Sequence, residues 1–156
     1  MPFLETEIGK LLMTLVLSMT PVLELRGAIP AGIAAGLHPV LVYLTAVVGN
    51  LLPAPFIILL IRRIFDWFRD SPRFGSKVEA LERRAHLKGR MVRKYSLLGL
   101  TILVAIPLPG TGAWTGALVA AILSIRLYRA LPAIFLGLLI AGAITTAVTL
   151  GLIHIF

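Results

Sequence analysis

Residues 21–30 read Pro21-Val22-Leu23-Glu24-Leu25-Arg26-Gly27-Ala28-Ile29-Pro30. They divide an apolar run at 11–23 from a longer one that continues to residue 61. The first run has 13 residues, about 20 Å as helix at 1.5 Å per residue. That is too short to cross a hydrocarbon core of about 30 Å. A charge at the bilayer centre costs roughly 2.5–3.5 kcal/mol on insertion scales. Glu24 and Arg26 must therefore be offset by pairing, water or a ligand. Two residues apart, they do not face each other on a helix. They share a face only where the backbone is extended, which Gly27 and Pro30 permit nearby. Unwound backbone at membrane depth is buried or lines a wet cavity. Such a tip, with Arg26 as a fixed cation and Glu24 as a titratable carboxylate, suits an anion or proton pathway. The alternative is that the pair sits at the headgroup boundary and merely ends a short helix.

The same design recurs. Residues 96–106 are apolar, break at Pro107-Leu108-Pro109-Gly110-Thr111-Gly112, and resume from Ala113 to Ile125. Full spans are predicted at 39–61 and 131–153. Each half thus reads as short arm, break, short arm, full span. Gly32-x-x-x-Gly36 and Gly112-x-x-x-Gly116 lie on or beside the second arms, where small residues let helices approach closely. The expected fold is all-α and integral to the membrane. It is an inverted repeat, each half a re-entrant helical hairpin followed by one transmembrane helix. The whole chain forms a single membrane domain, with repeat 1 at about 8–61, a basic linker at 62–94 and repeat 2 at about 95–156.

Composition agrees with a lipid environment. The 156 residues are 58% hydrophobic with mean hydropathy +0.97, above the 45–50% apolar content common in soluble domains. The net charge is +8, and it is uneven. Arg62 to Lys94 holds 11 of the 15 basic residues. A basic loop between membrane segments reads as the cytoplasmic face, and nucleic-acid binding is not expected. Phe74, Val78, Leu81, Ala85, Val92 and Tyr95 fall near one helical face of it. The linker therefore reads as a basic amphipathic helix on the anionic inner leaflet, with a solvated linker helix as the alternative. With this loop inside, hairpins place Arg126 and Arg129 inside as well; kinked spans place them outside. The positive-inside rule favours hairpins.

At the second break the glycines permit close approach, and free N–H groups at a helix start can bind an anion. Thr111 and Thr115 add hydroxyls, and Trp114 adds a wall. Should the tips meet, Arg26 faces these donors across one cavity. The alternative is a tight membrane turn. Asn50 is a third polar candidate, a polar packing contact being its commoner role. The candidate substrate- and proton-binding residues are Glu24, Arg26, Gly27, Pro30, Asn50, Pro107, Pro109, Gly110, Thr111, Gly112, Trp114 and Thr115. His38, His86 and His154 lie far apart and cysteine is absent, so no metal site, cofactor or disulfide is expected. No nucleophile–base pair, carboxylate pair or phosphate loop is present, so an enzyme is not expected. The acidic opening, Met1 to Glu7, does not read as a secretory leader.

Leu23 to Pro30, then Gly49-Asn50, then Ile106 to Gly116 resemble the putative small multidrug export protein family, over nearly the whole chain. That family in turn resembles the DedA/VTT superfamily of membrane proteins. The resemblance implies two facing re-entrant hairpins and transport of lipid-linked phosphates or phospholipids, with embedded acidic and arginine residues important. By motif, Glu24 and Arg26 match the first hairpin's charged pair, and Pro107 to Gly116 match the second tip. Two departures stand out: the second tip lacks the superfamily's arginine, with Arg126 and Arg129 the nearest, and flanking helices of larger relatives are missing. The lipid-phosphate reading is thus an analogy of fold.

The sequence expectation is a multi-pass transporter of the cell (inner) membrane. It is proton-coupled and moves an anionic amphipathic or lipid-phosphate-like substrate between facing tips. Export of lipophilic cationic drugs, with Glu24 as counter-charge, is the first alternative. A scaffold or lipid-organising protein is the second. Membrane lipids are the expected partners, and the small buried surface favours a homodimer.

Overall fold

The computed structural model describes residues 6–70, 80, 96–108 and 111–155. In chain order the helices are α1 (Glu7–Met19), α2 (Glu24–Ala34), α3 (Pro39–Leu51), α4 (Pro53–Arg69), α5 (Ser96–Ala105), α6 (Ala113–Ile122) and α7 (Leu127–Ile155). The expected amphipathic linker helix falls almost wholly outside the described residues, as do Pro109 and Gly110.

Two helices are long and apolar enough to cross a membrane: Pro39–Phe68, made of α3 and most of α4, and Leu127–Ile155. Both are longer than the sequence suggested, because Arg62, Arg63 and Tyr128 continue their helices instead of ending them. The other helices are half-length. α1 is capped by Thr6, whose hydroxyl accepts from Gly9 N–H at 3.1 Å; this satisfies one of the free amides of the first turn.

α2 and α6 end in the same way. After α2, Gly36 takes φ +85°, Gly36 N–H bonds Ile33 C=O and Leu37 N–H reaches back to Gly32 C=O. After α6, Ser124 takes φ 54°, Ser124 N–H bonds Ala121 C=O and Ile125 N–H reaches Ala120 C=O. This pair of bonds satisfies the last carbonyls of a helix when the next residue is left-handed. Leu37 and Ile125 are buried behind the turns, and the long helices begin two residues later, at Pro39 and Leu127.

Packing around the long helices repeats as well. A Cβ on Gly49 would strike Ser18 Oγ and lie 2.8 Å from Leu15 O, both on α1. A Cβ on Gly137 would lie 2.6 Å from Val104 Cβ and 2.8 Å from Thr101 O, both on α5. In both cases a glycine on the long helix admits two residues three apart on the preceding short one. α2 also packs on α7, and α6 on α4. Hydrogen bonds join the halves: Tyr43 Oη donates to Leu139 O at 3.1 Å, and Arg62 Nη2 donates to Ile125 O. The second contact sets the exit of α6 beside the basic end of α4. Within α7 the hydroxyls of Thr145, Thr146 and Thr149 each donate to the carbonyl four residues back, at 2.8 Å, so they need no partner from lipid.

Overpacking a tight site costs about 1–3 kcal/mol. Gly49→Val and Gly137→Val are therefore expected to lower the melting temperature in detergent clearly. Gly151→Val, where nothing lies within 4 Å, is expected to leave it unchanged. Circular dichroism melts of the three variants check this.

Candidate functional site

The bend of the first short pair lies at Thr20–Leu23, so α2 starts at Glu24 itself. The break read from Pro21 to the charged pair is thus a bend at its N-terminal side, and Glu24 and Arg26 are helical. Gly27 and Pro30 lie inside α2, not in the break. Helix formation continues across Gly27 because the bend, not the glycine, carries the change in direction. A Cβ on Gly27 would lie 2.9 Å from Leu23 Cβ, so glycine there lets the bend fold back tightly. Pro30 has no N–H, which leaves the Arg26 carbonyl without its donor four residues on.

Glu24, the first residue of α2, has a left-handed backbone at φ 48°, which a non-glycine residue rarely adopts. Such a conformation costs about 1–3 kcal/mol and persists where surrounding contacts impose it. Those contacts come from the second break. The backbone N–H of Trp114, in the first turn of α6, lies near enough to the Glu24 carboxylate to favour its charge. Gly112, the residue before α6, makes no side-chain cap of its own, and any Cβ there would overlap the carboxylate. Glu24 therefore caps α6 from across the molecule, where free N–H groups and the helix dipole favour negative charge.

Arg26 leaves its neighbour for the opposite tip. Its Nη2 donates to Thr111 Oγ1 at 3.0 Å and stands 4.0 Å from Glu24 Oε2, with 22% of its side chain exposed. Thr111 knits the second tip together. Its hydroxyl lies 2.6 Å from Ile106 O and 2.9 Å from Leu108 O, and it accepts from Leu108 N–H at 3.2 Å. Trp114 answers in the other direction, its indole Nε1 donating to Met19 O at 3.1 Å. Each tip thus receives a side-chain N–H from the opposite helix.

Of the candidates named from sequence, Glu24, Arg26, Thr111, Gly112 and Trp114 meet directly. Pro107 is half-buried in the second tip and Thr115 sits in the first turn of α6. Asn50 is fully buried, and neither Oδ1 nor Nδ2 has a hydrogen-bond partner, so the expected polar packing contact is not made. The Met19 carbonyl and Arg62 were not anticipated. A carbonyl carries no sequence signal, and Arg62 counted as one of many loop cations. Among the described residues, no cluster of His, Asp and Glu could hold a metal ion.

The family model described as putative small multi-drug export protein matches residues 24–144, from the tip carboxylate to the middle of α7. The chain belongs to that family. No curated protein and no solved structure matches it. Membership in this export family, with two apolar helices long enough to span, makes the chain a membrane protein of the transporter kind.

Proposed function

We propose that this export-family chain is a multi-pass secondary transporter whose two tips hold the anionic headgroup of an amphipathic substrate in mid-membrane, with Glu24 carrying a proton. The observation that carries this reading is the convergence of the Arg26 guanidinium and the N-terminus of α6 at one place. A guanidinium keeps several donors after one bond to Thr111, and helix-start amides complement anions. The architecture read here is an inverted repeat of two re-entrant hairpins, each followed by a span. It is supported by the matching ends of α2 and α6, the matching glycine seats at Gly49 and Gly137, and the reciprocal packing of α2 on α7 and α6 on α4. Irregular backbone at the meeting of broken helices is where such transporters bind their cargo. The DedA-like lipid-phosphate substrate belongs to the same reading.

Lipophilic-cation export is the second reading, favoured by the buried Glu24 carboxylate and by the family's description. Two probes with the same tail separate them: dodecyl phosphate and dodecyltrimethylammonium. With Trp67, 72% exposed, replaced by phenylalanine, Trp114 is the remaining fluorophore. Saturable quenching by the phosphate, competed by inorganic phosphate and absent with the ammonium, is expected. The reverse pattern assigns the cation reading. Saturation by neither leaves the scaffold.

A further inference from the structure

We propose that the arginine-rich end of the molecule holds one anionic phospholipid, its phosphate seated among Arg62, Arg126 and Arg129 where the α6–α7 turn meets α4. The proposal does not depend on the tips.

The backbone sets the turn. Ser124 at φ 54° closes α6, Ile125 is buried behind it, and Arg126 is the next residue out, exposed. Arg62 donates to the Ile125 carbonyl, and that carbonyl is bonded covalently to the Arg126 nitrogen. The guanidinium of α4 and the backbone of Arg126 are therefore neighbours, although they belong to different halves of the chain.

Arg126 and Arg129 share one ring. Arg126 Nη1 donates to Tyr128 Oη at 3.4 Å, and Arg129 Cζ stands 5.6 Å from the centre of the Tyr128 ring. A guanidinium placed over a ring keeps N–H groups at its edge for a phosphate. Arg62 is short of an acceptor in its own way: its Nε is buried with no hydrogen-bond partner, and a buried N–H without one is costly.

Charge is not balanced at this end. No Asp or Glu follows Glu82 in the chain, so the turn and α7 bring no acid. α4 brings Asp66 and Asp70. Among the described side chains here, Arg62, Arg63, Arg126 and Arg129 still outnumber them.

Depth favours a lipid over a free anion. Trp67 and Tyr128 are both exposed at the same end, and such aromatics stand at the headgroup level. On the bilayer side of the arginines, α4 exposes Phe56 and Leu60, and α6 exposes Leu118 and Ile122. α4 packs along α6, so these side chains give acyl chains an apolar wall below the guanidiniums. A basic pocket between helices at this level suits an anionic headgroup. Free phosphate uses the arginines and gains nothing from the wall. A bound lipid also braces the halves, because its phosphate joins α4 to the start of α7.

The test is native mass spectrometry of the full chain in detergent, with phosphatidylglycerol or phosphatidylcholine of the same acyl chains. Wild type is expected to retain one phosphatidylglycerol at collision energies that strip phosphatidylcholine. Excess inorganic phosphate is expected to leave it bound. The decisive variant combines Arg126→Gln and Arg129→Gln, both at exposed positions. It is expected to bind phosphatidylglycerol roughly 10- to 30-fold more weakly, since each cation near an anionic lipid contributes about five-fold. Two controls change charge elsewhere: Lys77→Gln with Arg83→Gln in the linker, and Arg26→Ala at the tips. Both are expected to keep the lipid. Should the linker pair weaken binding as much as the turn pair, the attraction is diffuse and the site is refuted. Should Arg26→Ala lose the lipid while the turn pair keeps it, the lipid lies at the tips and the inference is overturned. Retention of both lipids equally, or of neither, overturns it as well. Displacement by inorganic phosphate refutes the lipid in favour of a free anion.

Discussion

Arg26→Ala is expected to reduce dodecyl phosphate affinity roughly 10- to 100-fold, since a hydrogen bond to a charged group contributes about 1.5–3 kcal/mol. The effect should be large because, among the described residues, no other cation is seen bonded at the tips. α3 and α6 carry none, and the described Arg and Lys residues elsewhere lie near helix ends remote from the bend. Folding should survive. Thr111 keeps its bonds to Ile106, Leu108 and the Leu108 amide without Arg26, and the tips stay joined by Trp114 to Met19. The replacement also leaves Glu24 its place on α6. Arg26→Lys should fall between wild type and alanine, because an ammonium keeps the charge and loses the planar fork that can bond Thr111 and a phosphate oxygen together. Titration of the three forms, with melting temperatures alongside, checks this. Equal affinities at matched stability would remove Arg26 from the site. A loss of stability without a change in affinity would make it a strut between the tips.

What could be read from sequence, and what could not, divides along chain separation. The two breaks announce themselves locally. An apolar run too short to span, followed by Glu24 and Arg26, has few physical solutions, and Pro107 to Gly112 cannot continue a helix. The helix–bend–helix pairs follow from that. The position of the first bend was less legible. Gly27 and Pro30 are the local helix breakers, yet the chain turns earlier, at Thr20–Leu23. The reason lies 88 residues away, where bare Gly112 leaves room for the Glu24 carboxylate at the start of α6 while its backbone is left-handed. A partner of that kind leaves no trace in periodicity. Asn50 shows the same limit in reverse. Its place mid-span was plain, but burial without a hydrogen bond is a property of the packed helices around it. Arg62 looked like one loop cation among eleven until the fold brought it to the Ile125 carbonyl.

Cysteine labelling from outside intact cells is expected to give an all-or-none pattern. The native chain has no cysteine, so single cysteines report without background. Glu7, His38, Asp70 and Ser124 are all exposed, and each stands at the end of a helix. Cysteines at 7 and 38 should react with an impermeant maleimide; those at 70 and 124 should react only after permeabilisation. The reasoning is geometric. Gly32 lies against Thr14, so α2 returns alongside α1 and the chain emerges near where it entered. Arg62 bonds Ile125, so α6 likewise returns to the end of α4. That end carries Arg62 and Arg63, joined by Arg126 and Arg129, the charge distribution of a cytoplasmic face. Between them run the two long helices, in opposite directions. If only one of positions 7 and 38 labels, the first pair crosses the membrane as a kinked span. Arg126 and Arg129 would then require a separate account, the repeats would no longer be inverted, and a tip site in mid-membrane would lose its support. If both label and positions 70 and 124 stay silent, the charged bend enters from outside and stops partway. A carboxylate and a guanidinium so placed are offset only by each other, by the second tip, and by whatever the protein carries.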